Sequence, residues 1–237
     1  MDLAKAFTYV TEDERWINKL LIALIVTFFS FLIIPMFFLI GYAVAITRNV
    51  KDGVEKPLPE WDDWGGLFMD GLYVFIAQFV YTLPFWLLAC IAAVATGGLG
   101  TISDSSDPNM LAAAMGTTGL ILACLGLLFA VALFFISPAI IVQYVITGEF
   151  GACFRFGEVL GIARQSIGDI LMVFLATFGA GIAVSVITGI LAIIPCVGWI
   201  LSIVIGLVVG PYLTAVTGHL YGQIAAKFSG KSAKFAA

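Results

Sequence analysis

The chain has 237 residues, of which 62% are hydrophobic and 11% are charged, and its mean hydropathy is +1.10. Soluble proteins carry about 25% charged residues, so this chain has too few charges to cover a water-soluble globule of its length. The composition therefore excludes a soluble domain and a disordered chain. Nucleic acid is excluded as a partner, because 11 Lys and Arg residues are outnumbered by 15 Asp and Glu residues and form no basic block. The expected partner of most of the exterior is the lipid bilayer.

Charge-free intervals set the number of membrane spans, because a helix needs about 20 apolar residues to cross a bilayer. Four such intervals lie at 20–47, 71–103, 108–148 and 170–226. The last is long enough for two crossings, and Pro195 followed by Gly198 predicts a tight helical hairpin within it. The sequence thus predicts an all-α polytopic helical membrane bundle with about five transmembrane helices and short interfacial helices. A single integral membrane domain over residues 1–237 would have spans near 20–46, 67–96, 112–146, 169–193 and 198–224.

The first predicted span has two interpretations. The 28 charge-free residues from Leu20 to Thr47 favour one tilted helix that crosses once. Alternatively, Pro35 divides them into a re-entrant hairpin. A single crossing separates the three N-terminal cations from the other eight, whereas a hairpin puts all eleven on one side, as the positive-inside rule favours. In both versions we expect a multi-pass protein of the prokaryotic inner or plasma membrane with a cytoplasmic C-terminus.

An acidic tryptophan segment precedes the second predicted span. It consists of Pro59, Glu60, Trp61, Asp62, Asp63 and Trp64. The expected role is structural: the two indoles, one helical turn apart, anchor a short interfacial helix at the headgroup level, and the acids cap its N-terminus. The alternative is that the carboxylates bind a cation or the basic patch of a partner.

The third predicted span begins near Leu111, because Asp107 followed by Pro108 is typical of an N-cap and a first helical turn. Four polar side chains are candidate membrane positions: Asp70, Gln78, Gln143 and His219. They could hydrogen-bond between helices, or line a polar conduit.

No catalytic motif is present in the sequence, and the lone histidine lacks Cys or carboxylate residues at ligand spacing. We therefore expect no enzyme activity, no metal ion and no cofactor.

Small residues recur at helical spacing in the last two predicted spans. The residues are Gly181, Ser185 and Gly189 in one span, and Gly206 and Gly210 in the other, with Gly218 and Gly222 further along it. Such residues let helix backbones approach closely where lipid provides no hydrophobic drive for association. They predict tight packing of these two spans against each other across the Pro195 turn.

Several segments resemble a known family. They are Gly41-Tyr42, Arg48-Asn49-Val50, Leu58 to Gly65 and Leu67 to Leu72, together with Pro84 and the region from Phe154 to Ile162. These segments are similar to the prokaryotic membrane protein family designated domain of unknown function 4013. The resemblance covers most of the chain. It implies a multi-span integral membrane protein and transfers no catalytic residue.

The leading functional hypothesis is a non-catalytic membrane protein, an accessory or packing subunit that assembles as a homo-oligomer or with other membrane subunits. Short loops, spans without central charges and abundant small residues motivate this hypothesis. The alternative is a small transporter or channel for a neutral or lipid-like substrate.

Overall fold

The computed structural model describes residues 1–102 and 108–229, and gives only the backbone of residues 93, 95–102, 108–115, 117 and 118. All regular structure in the described ranges is helical, which confirms the predicted fold class. Two short 3₁₀ turns, Phe29–Leu32 and Phe150–Phe154, precede the third and sixth α-helices. The α-helices are α1 Leu3–Glu12, α2 Trp16–Phe28, α3 Ile34–Lys51, α4 Trp64–Ile102, α5 Pro108–Thr147, α6 Phe156–Gln165, α7 Ile167–Leu191 and α8 Val197–Phe228.

The chain divides into two compact units, where the sequence predicted one membrane domain. The main unit comprises Met1–Ala77 and Pro138–Ala237, and the hairpin unit comprises Gln78–Ser137. Within the hairpin unit, Gln78 Nε2 donates a hydrogen bond to Ser137 Oγ at 2.9 Å. The rings of Phe85 and Phe129 stack there with centroids 5.3 Å apart. These contacts hold the hairpin unit's parts of α4 and α5 side by side.

Among the residues that the structure describes, four helices are long and apolar enough to cross a membrane. They are Trp64–Ala92 of α4, Gly119–Thr147 of α5, all of α7 and all of α8. They correspond to the last four predicted spans. A proline lies inside α4, α5 and α8 without ending the helix, at Pro84, Pro138 and Pro211. Such prolines are tolerated in membrane helices because neighbouring groups satisfy the freed backbone carbonyls. The backbone of α5 begins at Pro108, three residues before the predicted start, and Asp107 lies outside the described residues.

The predicted continuous helix over residues 20–46 is wrong. The α-helix ends at Phe28, and the chain passes through a 3₁₀ turn to Ile33, whose φ of 68° is incompatible with a right-handed helix. A new α-helix then begins at Ile34. Pro35 lies in its first turn, where the missing backbone N–H would have had no partner within the helix.

The two helices on either side of this break fold back on each other. Trp61 Nε1 donates a hydrogen bond to the Lys19 carbonyl at 3.0 Å, and the Trp61 ring stacks on Tyr42 with centroids 4.6 Å apart. In one continuous helix, Lys19 and Tyr42 would be about 34 Å apart at 1.5 Å per residue. The chain therefore reverses between α2 and α3, and the two helices form a hairpin.

The predicted turn at Pro195 is confirmed by the boundaries of α7 and α8. Val197 N donates to the Pro195 carbonyl at 2.7 Å, and Cys196 between them has φ 63° and ψ −61°, which is a γ-turn. Gly198, the second residue of α8, lies against the backbone at the end of α7. A Cβ at this position would lie 1.7 Å from the Leu191 carbonyl oxygen, so only glycine fits.

The core of the main unit lies where α1, α2 and α3 pack around the C-terminal half of α8. The largest fully buried side chains there include Tyr42, Ile46 and Leu220. The N-terminal helix α1 lies at 100° to the segment from Trp16 to Leu32. It is fixed to α8 by two hydrogen bonds from tyrosine hydroxyls to backbone carbonyls: Tyr9 to Ala215 at 2.9 Å, and Tyr212 to Phe7 at 2.7 Å.

Glycines also mark two further close helix crossings of the main unit. A Cβ at Gly41 would lie 1.8 Å from the Leu67 carbonyl oxygen, and a Cβ at Gly71 would lie 1.8 Å from that of Phe37. The backbones of α3 and α4 are therefore in direct contact. Between α3 and α8, the corresponding residues are Gly218 and Gly222, whose added Cβ atoms would come within 2.9 Å and 2.4 Å of α3 atoms.

Candidate functional site

The acidic tryptophan segment is not helical, contrary to the prediction. Residues 57–63 form no regular structure, and α4 begins at Trp64. Asp63 caps this helix, since its carboxylate accepts a hydrogen bond from Gly66 N at 2.8 Å. The expected capping role of an acid is thus confirmed for Asp63, although the helix it caps is a long apolar one.

Trp61 lies in the core rather than at the surface. Only 6% of Trp61 is exposed, and its ring is within 7° of parallel to that of Tyr42. Its Nε1 donates a hydrogen bond to the Lys19 carbonyl. The prediction of a headgroup anchor is therefore wrong for Trp61. Trp64 is 43% exposed, and its anchoring role stays a prediction. Trp61 therefore joins this segment to α2 and α3, a long-range contact that the sequence alone does not reveal.

A buried ion pair holds the same segment to the α1–α2 linker. The side chains of Lys19 and Asp13 are each 6% exposed and lie 2.7 Å apart. The Lys19 ammonium also donates to the Leu58 carbonyl at 2.8 Å and pairs with Glu60 at 2.9 Å, so three acceptors surround it. Burial by itself raises the pKa of Asp13, but hydrogen bonds from the Lys19 side chain and the Arg15 backbone outweigh it and lower that pKa.

A cavity of about 420 Å³ opens beside this ion pair. Its walls come from the α1–α2 linker, from Asn49 near the end of α3, and from the loop that leads to α4. Three of the lining residues are cations and three are acids: Arg15, Lys19 and Lys56, and Asp13, Glu14 and Glu60. Exposed pairs join the two sides, with Arg15 Nη2 2.7 Å from Glu60 and Lys56 Nζ 2.7 Å from Glu14. The cavity therefore presents both signs of charge to a ligand.

Asp70 joins three helices of the main unit. One carboxylate oxygen accepts from Arg48 of α3 at 2.9 Å, and the other accepts from the Tyr144 hydroxyl of α5 at 2.6 Å. Its side chain is 16% exposed. The candidate polar residue at the start of α4 thus forms a charged hydrogen-bonded contact between helices, which satisfies both of its oxygens.

The other candidate polar residues have partners of their own. Gln143 Nε2 donates to Glu158, and Gln78 pairs with Ser137 inside the hairpin unit. His219 is 3% exposed, and its ring stacks on that of Tyr9 with centroids 4.4 Å apart. The distance from its Nδ1 to Gln223 Nε2 is 3.1 Å. In the described parts of the chain, no hydrogen bond joins one of these candidates to another, so the polar conduit gains no direct support.

The predicted packing glycines do not pack α7 against α8. A Cβ at Gly181, Gly189, Gly206 or Gly210 would meet no atom within 4 Å, and Ser185 is exposed. The two helices do contact each other, at the far end through Lys227 and Asp169, which lie 2.6 Å apart, and also close to their turn. There, Ser202 Oγ donates to the Gly198 carbonyl of its own helix at 2.8 Å and lies 3.5 Å from the Thr188 carbonyl of α7. Besides Gly198, the glycines at which an added Cβ would clash with another helix are Gly41, Gly71, Gly218 and Gly222. Small-residue spacing had selected the last two of these, but as part of the packing of α8 against α7, whereas both lie against α3.

The comparisons with known proteins concern the family of the chain. No curated protein and no solved structure matches it. The family model described as "Protein of unknown function (DUF4013)" matches residues 28–193, which is more than half of the chain. This range contains the segments that carried the resemblance, from Gly41 to Leu72, together with Pro84 and the region from Phe154 to Ile162. The chain therefore belongs to the DUF4013 family.

Proposed function

We propose that this protein is a non-catalytic subunit of a membrane assembly, in which the surface of α7 and α8 packs against another copy of the chain or another membrane subunit. The observation that carries the proposal is the set of glycines on this surface, Gly181, Gly189, Gly206 and Gly210, at which an added Cβ would meet no atom within 4 Å. They lie among exposed large apolar side chains, such as Ile182, Val186 and Ile203, which are 50–63% exposed. Glycines of this kind bring helix backbones together in lipid, because they permit close van der Waals contact.

The local pairing of the polar side chains supports a subunit role over the alternative of a transporter. A transport path needs polar groups that can exchange partners with a substrate. Asp70 already binds Arg48 and Tyr144 at charge-assisted distances, and His219 stacks on Tyr9 next to Gln223. Each pair serves to hold helices of the main unit in place.

The positions of the cations support an arrangement with both termini in the cytoplasm of a prokaryotic cell. Arg15 pairs with Glu60, Lys56 with Glu14, and Lys227 near the end of α8 with Asp169 at the start of α7. The first two pairs bring the N-terminal cations next to the loop before α4, and Asp2 N donates to Gln223 of α8 at 2.7 Å, one helical turn from Lys227. The cations therefore lie at one end of the main unit. By the positive-inside rule, that end is cytoplasmic.

The hairpin of α2 and α3 is then re-entrant. From Ile34 to Thr47, its apolar arm is 14 residues long, which corresponds to about 21 Å, less than the roughly 30 Å of the hydrocarbon core. Its tip carries exposed Phe28, Phe31 and Ile33. The hairpin therefore enters the bilayer and returns to the same side.

Thiol labelling tests this arrangement. In a background without the four native cysteines, T8C and S229C should react with a membrane-impermeant maleimide only when the cytoplasmic face is exposed. S30C, at the tip of the α2–α3 hairpin, should react from neither side. Labelling of T8C from the outer face would refute the re-entrant hairpin and support the single crossing.

The assembly is tested by adding bulk to the open glycines. The double variant G206L/G210L should lose the oligomer that wild-type protein forms in mild detergent, measured by light scattering or native mass spectrometry. The matched control is V204F/V208F, since these two residues are also exposed and lie on the opposite flank of α8. An unchanged mass for G206L/G210L, with wild-type thermal stability, would contradict the proposed interface.

A further inference from the structure

The cavity beside the buried Lys19 ion pair is not used by the proposed assembly. It lies at the start of α2, on the charged end of the main unit, and its mouth is lined by two exposed cations and two exposed or half-exposed acids. The side chains of Arg15 and Lys56 are 66% and 51% exposed, and those of Glu14 and Glu60 are 86% and 37% exposed. A ligand can therefore reach all four groups.

The contacts of Arg15 with Glu60 and of Lys56 with Glu14 can exchange partners at little cost, because exposed ion pairs contribute little to stability, while Glu60 keeps its contact with the buried Lys19. The contact of Arg15 with Glu60 runs through one guanidinium nitrogen, Nη2, and a guanidinium can bind phosphate oxygens through two parallel hydrogen bonds. An ammonium group can donate to carboxylates such as Glu14 and Glu60. The deeper Lys19–Asp13 pair is buried, so it fixes the floor and remains in place.

Exposed apolar side chains begin one turn or less from the cavity along α2, on the face of the helix that points away from the buried Lys19. Ile17, Leu21, Ile25 and Phe28 lie on one face of α2 at helical spacing, and each is 50–55% exposed. This row of side chains begins two residues after Arg15 and extends for about 16 Å along the helix. A charged site at one end of an exposed apolar face matches a molecule with a polar head and a hydrocarbon chain.

We infer that this cavity binds the headgroup of a zwitterionic phospholipid of the phosphatidylethanolamine type. The phosphate lies between Arg15 and Lys56, the ammonium group lies against Glu14 and Glu60, and an acyl chain follows the exposed face of α2. A primary ammonium is preferred to a quaternary one, because it donates hydrogen bonds to carboxylates. An anionic glycerol headgroup lacks the ammonium partner altogether.

The test is lipid binding by the full-length protein, delipidated in mild detergent and measured by native mass spectrometry. The probes are phosphatidylethanolamine, phosphatidylcholine and phosphatidylglycerol with identical acyl chains. Phosphatidylethanolamine should bind best to wild-type protein and about tenfold more weakly to R15Q/K56Q, a loss of roughly 1.4 kcal/mol. The matched control is K5Q/R155Q, which removes two exposed, ion-paired cations elsewhere and should bind like wild type.

A second variant tests the ammonium contact without touching the phosphate side. E14Q should reduce the binding of phosphatidylethanolamine toward that of phosphatidylcholine, and leave phosphatidylglycerol binding unchanged. Equal binding of all three lipids to wild type, or full retention by R15Q/K56Q, would overturn the proposal. Displacement of the lipid by equimolar soluble phosphoethanolamine would overturn the lipid assignment, because it would show that the acyl chain contributes nothing. None of these outcomes depends on whether α7 and α8 form an oligomer.

Discussion

The crossing of α3 and α4 gives the sharpest test of the fold. At Gly41 and Gly71, each glycine lies against a backbone carbonyl of the other helix, and a Cβ would come to 1.8 Å from the carbonyl oxygen. A carbon atom approaches a carbonyl oxygen to about 3.3 Å at closest. The substitution G41A or G71A must therefore separate the helices locally by about 1.5 Å, because a backbone carbonyl cannot rotate away as a side chain can.

The cost follows from the contacts that this separation removes. A gap of about 1 Å already forfeits up to half of the dispersion energy between packed atoms. Around this crossing, the Phe37 ring packs against Phe68 at 5.7 Å and Phe75 at 5.1 Å. Overpacking of this kind typically costs about 1–3 kcal/mol, and we expect each variant to fall at the upper end of that range or above it. The double variant should cost less than the sum, because one displacement makes room for both methyl groups.

The assay is unfolding by sodium dodecyl sulfate in mixed micelles, followed by tryptophan fluorescence. Trp61 is a suitable reporter, since it is stacked on Tyr42 in the folded state. The matched control is G65A in the first turn of α4, where the new Cβ would lie 3.7 Å from an Asp63 oxygen, an ordinary contact. It should be neutral or stabilising, because alanine favours helix over glycine by about 1 kcal/mol in a helix interior. Wild-type stability of G41A or G71A would refute the close crossing.

Three further predictions concern the buried polar groups and use the same unfolding assay. Replacing Lys19 with Met leaves a buried carboxylate unpaired and should cost about 3–5 kcal/mol, whereas K56Q at the exposed rim should leave the midpoint unchanged. Tyr42 has a buried hydroxyl without a hydrogen-bond partner among the described residues, so Y42F should be neutral or stabilising, while Y9F should lose about 1 kcal/mol with its bond to a carbonyl. Because the pKa of Asp13 is lowered on folding, its contribution to stability is present at neutral pH and is lost as the pH falls below about 3.9; D13N should remove this part of the acid sensitivity.

The sequence was sufficient for the membrane class and for the ends of most spans, because both follow from the length of charge-free apolar segments. The turn at Pro195 was predicted within a few residues, since proline and glycine restrict the backbone locally. The position of Asp63 at the start of α4 has the same local origin. These features depend on neighbours in the chain, and such neighbours are visible in a sequence.

The helix contacts depend on which face of each helix meets another helix, and hydropathy does not reveal this in a membrane. Lipid is as apolar as the side chains of a helix interface, so both faces have the same composition. Small-residue spacing therefore selected Gly206 and Gly210, which are open, as readily as Gly218 and Gly222, which lie against α3. The resemblance segments contained Gly41 and Gly71, but a motif by itself does not say that these two glycines lie at one crossing.

The reversal at Ile33 shows how two sequence rules of different range can disagree. An unbroken apolar stretch is a local property, and it favoured a single helix through Pro35. The distribution of Lys and Arg is a property of the whole chain, and it favoured the hairpin. The ion pairs of Arg15 and Lys56 with acids more than 40 residues away agree with the second rule. The physical reason is that an apolar segment is equally soluble in lipid whether straight or folded back, whereas a separated charge loses its partners, so charge decides between the two topologies.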